Sequence, residues 1–259
     1  MNSETPIWLF CTKSFRMNKA LTILLAMCLP VIAGHHIVVI DPGHGGGGNS
    51  GSQSARTLSA SNNAKSPGGL LEKDLTLELC LEIKKQVMAL APEHPGTRID
   101  CVLTRIEDRN PDFAKRALIC AGSNVPPSAI FSVHFNASTG HNTLGTLAVV
   151  HNRKANKNFE KDQIFAKGLV EATHAGVSQF VRASKARNPI SDSHLHNGAG
   201  SNFFHQLELH PTIKEVPKCF LEVEFMDRED VEKQLFTNRK QAFPIIARSI
   251  ASYLYTQFK

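Results

Sequence analysis

Apolar residues recur along this chain with two periods. Short runs rich in β-branched and aromatic residues, at 36–41, 99–103, 129–135, 145–150 and 219–225, predict five strands. Between them the spacing lengthens. Leu75, Leu79, Ile83 and Val87 recur every four residues, and Leu90 extends the stripe, so a helix is expected from Glu72 to just before Pro92. A short helix over 112–121 is expected to turn Phe113, Ala117 and Leu118 inward. A third over 158–173 offers Phe159, Ile164, Leu169 and Val170, and a closing helix over 238–258 carries Pro244 in its first turns. Residues 49–67 are rich in Ser, Asn, Ala and Gly, with Leu58 the only large apolar residue, and read as a mobile loop; residues 184–202 read as a polar surface loop. Strands alternating with helices imply an α/β fold: a single domain with a mostly parallel, twisted central sheet of about five to six strands and helices on both faces. There is neither an internal repeat nor a linker to a second domain.

The first 33 residues follow a different logic. Lys13, Arg16 and Lys19 precede an apolar stretch over 20–33 that ends in Val31-Ile32-Ala33. A basic head, a short apolar body and a small-residue exit are the signature of a secretory signal peptide. The run is short for a membrane span and is interrupted by Pro30, although a buried or membrane-anchoring helix is the alternative. Export is therefore expected, to the periplasm first and the extracellular space second. Lipid attachment at Cys28 is disfavoured because Met27 before it is not small. Three basic residues and Glu4 lie in this leader, so its removal lowers the net charge from +6 to +4. A mildly basic product suits an anionic wall or membrane surface. No basic run is interleaved with aromatics, which argues against nucleic acid. Outside the leader stand Cys80, Cys101, Cys120 and Cys219, with no CxxC pair. Their apolar surroundings predict buried free thiols, although full pairing would allow three connectivities.

Three segments carry candidate metal chemistry. Asp41-Pro42-Gly43-His44-Gly45-Gly46 is a strand that runs into a tight turn and projects His44. Glu72-Lys73-Asp74 opens a helix, where an acidic residue also has a plain reading beside the helix dipole. Ser132-Val133-His134-Phe135-Asn136 ends an apolar strand, where a core histidine is the alternative. Two histidines and a glutamate, with one open position, form an established zinc set for hydrolysis of amide bonds. Strand ends are a rigid way to bring such ligands together.

In order and content these segments resemble the zinc-dependent N-acetylmuramoyl-L-alanine amidases that share the DPGHGG motif. The likeness includes Leu103-Thr104-Arg105 with Asp108 and Arg116, and ends at Leu221-Glu222-Val223-Glu224-Phe225. It implies one zinc ion held by His44, Glu72 and His134, with Glu222 as general base. The substrate it implies is the amide between N-acetylmuramic acid and L-alanine in peptidoglycan. A zinc peptidase acting on stem peptides and a non-catalytic wall-binding module are the alternatives. The resemblance also raises a protein activator or a self-blocking element, for which residues 151–217, the stretch unlike the family, are the place. That stretch holds His194 and His196, either substrate contacts or proton donors, or else parts of a solvated loop. Asp41, Asn136 and Arg105 are candidates for supporting the ligands or substrate. Glu224 stands where the family has glycine. Strand periodicity turns it to the same face as Glu222, so two repelling carboxylates are expected and Glu224 competes for the base role.

Overall fold

The computed structural model describes residues 34–47, 57–122, 125–154, 156–195 and 200–259. The leader, Cys28, part of the 49–67 loop and His196 lie outside the described residues. Six strands form one sheet in the order β2-β1-β3-β6-β4-β5. They are β1 (Gly34–Pro42), β2 (Thr97–Leu103), β3 (Ala129–Asn136), β4 (Leu147–Val150), β5 (Ile190–Ser191) and β6 (Lys218–Phe225). β2, β1, β3 and β6 are parallel neighbours, β4 runs antiparallel to β6, and the short β5 is parallel to β4. The expected α/β architecture is therefore present, with a sixth strand inside a stretch read as loop.

β3, β6 and the second half of β1 are buried on both faces, as crossover helices require, whereas the edge strand β2 buries only Ile99. Val38, Ile40, Phe131, Val133, Phe135, Leu221 and Val223 share one core with α1 (Glu72–Leu90), α3 (Phe159–Val177) and α6 (Arg239–Gln257). Val39, Ile130 and Phe220 point the other way, toward α2 (Phe113–Ala121) and α4 (Asn202–Glu208). A three-residue helix α5 (Glu229–Val231) and a wide turn over Glu232–Phe236 precede α6. The alternation along β1, β3 and β6 then sends Asp41, Ser132, His134 and Glu222 to the α2/α4 face, at the carboxyl ends of the parallel strands. That is where α/β sheets of this kind place their sites.

Two inward assignments are corrected. Leu118 is 60% exposed because α2 buries Arg116, Ala117 and Cys120; Leu118 lies about 100° round from Ala117. Ile164 is 68% exposed for the same reason, since the buried stripe of α3 runs through Phe165, Leu169 and Thr173 to Val177. Residues 184–202 are also not simply a surface loop. Asp192 is fully buried and accepts hydrogen bonds from the backbone N–H groups of Asn152 (2.8 Å) and Ser201 (2.9 Å), with His151 Nδ1 at 2.9 Å. Ser201 caps the first turn of α4. The four cysteines are free thiols, with Cys80, Cys120 and Cys219 buried and Cys101 half-buried. No described helix is long and apolar enough to cross a membrane.

Candidate metal centre

His44 leaves the end of β1 with φ +61°, a left-handed conformation held by its neighbours. Gly43 admits the imidazole of His134, because a Cβ there would lie 2.4 Å from His134 Cε1. Gly45 has φ +131° and passes so close to the Arg109 carbonyl that no side chain fits. The turn is fastened by two arginines. Arg116, 1% exposed, donates to Asp41 Oδ1 (2.6 Å) and to the carbonyl oxygens of Pro42 (2.8 Å) and His44 (2.6 Å). Arg105 donates to the carbonyls of Pro42 (3.0 Å), Gly43 (2.8 Å) and Lys73 (2.7 Å), tying the turn to the start of α1. Arg105 is thus committed to backbone oxygens and is not among the residues lining the pocket.

His44 Nε2, Glu72 Oε1 and His134 Nδ1 all lie within 4.8 Å of one another. Glu72 Oε1 is 3.2 Å from His44 Nε2 and 3.0 Å from His134 Nδ1. Hydrogen bonds behind the imidazoles orient them. His44 Nδ1 is 2.9 Å from the Ala60 carbonyl, an obligate acceptor, so Nδ1 carries a hydrogen and Nε2 is the atom turned toward Glu72. Nε2 is buried without a hydrogen-bond partner. A carboxylate oxygen and imidazole nitrogens converging in a buried site call for positive charge among them, a proton or a metal ion, and this donor set suits zinc. Burial would raise the Glu72 pKa, but the two imidazoles outweigh it and hold the carboxyl below the usual carboxylate range. Burial would lower that of His44, but Glu72 outweighs it and raises the group above ordinary histidine.

Residues 57–67, expected to be part of a mobile loop, supply much of this order. Besides the Ala60 carbonyl, Ala64 N–H donates to Glu72 Oε2 (3.1 Å) and Asn62 Oδ1 accepts from Lys73 N–H (3.0 Å). The Ala60 and Ala64 contributions come from backbone groups, which carry no residue-type signal, so they were not visible in the sequence.

Glu222 sits directly across from His134 in the β3–β6 register. Together with His44, His134, Ser132, Phe203 and Phe220 it lines the pocket over the centre. Its Oε2 is buried without a partner. Burial, with the Glu72 charge adding, pushes its pKa up to about 7 against a smaller opposing effect of His134.

The pair of repelling carboxylates is not found. The register slips between His134 and Asn136, so that two steps on β3 oppose three on β6. Glu224 falls in this bulge, fully buried, and accepts from the N–H groups of Gly145 (2.7 Å) and Phe225 (2.8 Å) and from the Ser184 hydroxyl. It clamps loops together outside the pocket lining. Glu224→Gln is accordingly expected to cost about 1–3 kcal/mol of stability and to leave kcat near wild type, as urea denaturation and turnover assays on the same samples would establish. Asn136 is also placed elsewhere, its Oδ1 accepting from Ala137 N–H (2.8 Å). His194 stands exposed on a 3-10 turn outside the pocket lining. Asp41 reaches His134 through Ser132. The Ser132 hydroxyl is 2.6 Å from Asp41 Oδ2 and 3.1 Å from His134 Nε2. Burial raises the Asp41 pKa, but Arg116 and the Ser132 and Thr104 hydroxyls outweigh it and keep the carboxyl below its ordinary range.

Residues 38–252 match the family model described as N-acetylmuramoyl-L-alanine amidase. Among solved structures, the chain is similar to the N-acetylmuramoyl-L-alanine amidase AmiC2 of Nostoc punctiforme, with TM-score 0.56 and 23% identity over 87% of this chain and 98% of that one. It is similar to the catalytic domain of the amidase CwlV from Bacillus (Paenibacillus) polymyxa var. colistinus, with TM-score 0.57 and 18% identity over 86% and 99%. It is also similar to the CwlD amidase of Clostridioides difficile, solved in complex with the GerS lipoprotein, with TM-score 0.55 and 17% identity over 86% and 98%. No curated protein sequence matches it.

Proposed function

The chain belongs to the N-acetylmuramoyl-L-alanine amidase family, and from that premise we propose that His44, Glu72 and His134 hold a single zinc ion and that Glu222 is its general base. Hydrolysis of the peptidoglycan amide is the family's reaction; the residue roles rest on the donor set and on the position of Glu222. The observation that carries the reading is the convergence of His44 Nε2, His134 Nδ1 and Glu72 Oε1, with the buried, partnerless Oε2 of half-buried Glu222 at the same pocket.

Zinc bound there would polarise the scissile carbonyl and lower the pKa of water to about 7. The chain supplies the rest. Glu222 Oε2 takes a proton from the attacking water and returns it to the leaving amine nitrogen of L-alanine as the C–N bond breaks. The aromatic wall of Phe203 and Phe220 excludes bulk water and keeps Glu222 in the proton-accepting range. Ala60 and Ser132 hold the two imidazoles.

The leader composition and a wall substrate support export, to the periplasm first. For a protein partner the support is the clostridial neighbour solved with its lipoprotein; an activator of this chain would show as a rise in the rate of the isolated enzyme on addition.

The direct test is digestion of purified cell wall with and without a zinc chelator. The expected products are intact stem peptides with a free L-alanine N-terminus, lost with chelator and restored by added zinc. Cut stem peptides would reassign the chain as a peptidase, and chelator-insensitive release would dismiss the metal.

A further inference from the structure

We infer that Arg187 is a substrate-binding residue: its guanidinium takes a carboxylate of the stem peptide and so sets which way the substrate lies across the site. The inference rests on the amidase reading above and names a specificity determinant for it.

Phe220, Glu222 and Phe225 follow one another along β6 on the side of α2 and α4, because the bulge at Glu224 returns Phe225 to the face of Glu222. The Arg187 guanidinium carbon lies 5.5 Å from the centre of the Phe225 ring, so it continues this row one place beyond Glu222. Leu147, the β4 partner of Glu222, is preceded by Thr146, which bridges to Ala186. The backbone thus brings Arg187 to the rim on the β4 side. It does not line the pocket itself, so its ligand is a part of the substrate that extends beyond the reacting bond.

The side chain is held in place by the fold. Arg187 Nε donates to the Leu144 carbonyl (2.9 Å), and its backbone N–H donates to the Thr146 carbonyl (2.9 Å). Gly145 has φ +126°, and a Cβ there would lie 3.0 Å from Arg187 Nε. Glu224 fastens both loops, accepting from Gly145 N–H (2.7 Å) and from the Ser184 hydroxyl. The carboxylate that stands where the family has glycine thereby acquires a use. Among the described residues, the two Nη atoms of this exposed arginine have no hydrogen-bond or ion-pair partner. Residues 178–191 hold Arg182, Lys185 and Arg187 and no acidic side chain. A fixed, planar fork of N–H donors without an anion of its own suits a carboxylate.

Substrate chemistry then gives the direction. The lactyl carboxyl of N-acetylmuramic acid is consumed in the scissile amide, so the sugar side of that bond carries no charge. Free carboxylates lie on the peptide side. The first is the α-carboxyl of the glutamate after L-alanine, which is linked onward through its side chain. The stem peptide therefore runs toward Arg187 and the glycan away from it.

The test uses the full, zinc-loaded chain and soluble peptidoglycan strands in two forms, with that α-carboxyl free or converted to the carboxamide. Wild type is expected to show a KM about 10-fold lower for the free form, the lower end of what hydrogen bonding to a charged group contributes. In Arg187→Met the two KM values should coincide. Arg187→Lys, which keeps the charge but not the fork, should retain part of the difference. A merely structural role for Arg187 would shift both substrates alike and leave their ratio in place, which would overturn the proposal. So would equal KM values in wild type, whatever the variants do. Wild type that releases stem peptide from neither form would instead defeat the amidase reading, and the proposal with it.

Discussion

Glu222→Gln is expected to lower kcat by about 10²–10⁴-fold, the usual share of a general base, while the protein still binds one zinc ion. Glutamine has nearly the same shape but cannot accept the proton of the attacking water. The pH profile carries a second signature. Below about 7 the metal-free Glu222 holds its proton and cannot act as a base, so kcat/KM falls on the acid side. A divalent cation beside it favours the carboxylate, so the loaded enzyme's acid limb lies below that value. The variant should lose this limb along with the rate. Stability moves the opposite way. A carboxyl whose folded pKa is raised stabilises the fold below its unfolded pKa and loses that contribution as pH rises through the folded one. Metal-free Glu222→Gln should therefore gain thermal stability relative to wild type between about pH 4.5 and 7. Full turnover in the variant on purified wall would remove Glu222 from the mechanism.

Arg116→Met is expected to destabilise the fold by about 3–5 kcal/mol, the range for leaving one member of a buried ion pair uncompensated. The guanidinium also serves the carbonyls of Pro42 and His44, and its Nε donates to the Pro111 carbonyl (2.9 Å). A methionine fills the volume and satisfies none of them. For a domain of this size the midpoint should fall on the order of 10 °C. Because the folded pKa of Asp41 lies below its unfolded value, the stabilisation exists above about pH 4 and disappears as pH falls through the folded value. The deficit should therefore shrink in acid. Adding Asp41→Asn to Arg116→Met should recover part of the loss, since it removes the stranded charge. A single variant within 1 kcal/mol of wild type in urea would show that the pair is not what holds the turn.

That His44, Glu72 and His134 would converge was an expectation of the sequence, drawn from the order of three segments that together resemble the amidase family, and the three side chains do meet. Legible too was the helix of Leu75, Leu79, Ile83 and Val87, whose spacing alone fixes its buried face. Leu118 and Ile164 were misplaced by helix phase, but what the sequence left out of the site has another cause. Strand periodicity put Glu224 beside Glu222, but the extra residue that turns it away arises from register against β3, a pairing between segments about 90 residues apart. The Asp41–Ser132–His134 row likewise exists only because β1 and β3 pair at that register.

Side-chain chemistry and local period were thus determined by the chain's own order of residues. The tertiary structure alone decided which groups stand behind each imidazole, which carboxylate oxygen is buried without a partner, and which stretch of loop backs the three converging side chains. Those outcomes depend on backbone carbonyls, long-range register and desolvation. None of these belongs to a single residue, so none leaves a mark on a linear sequence.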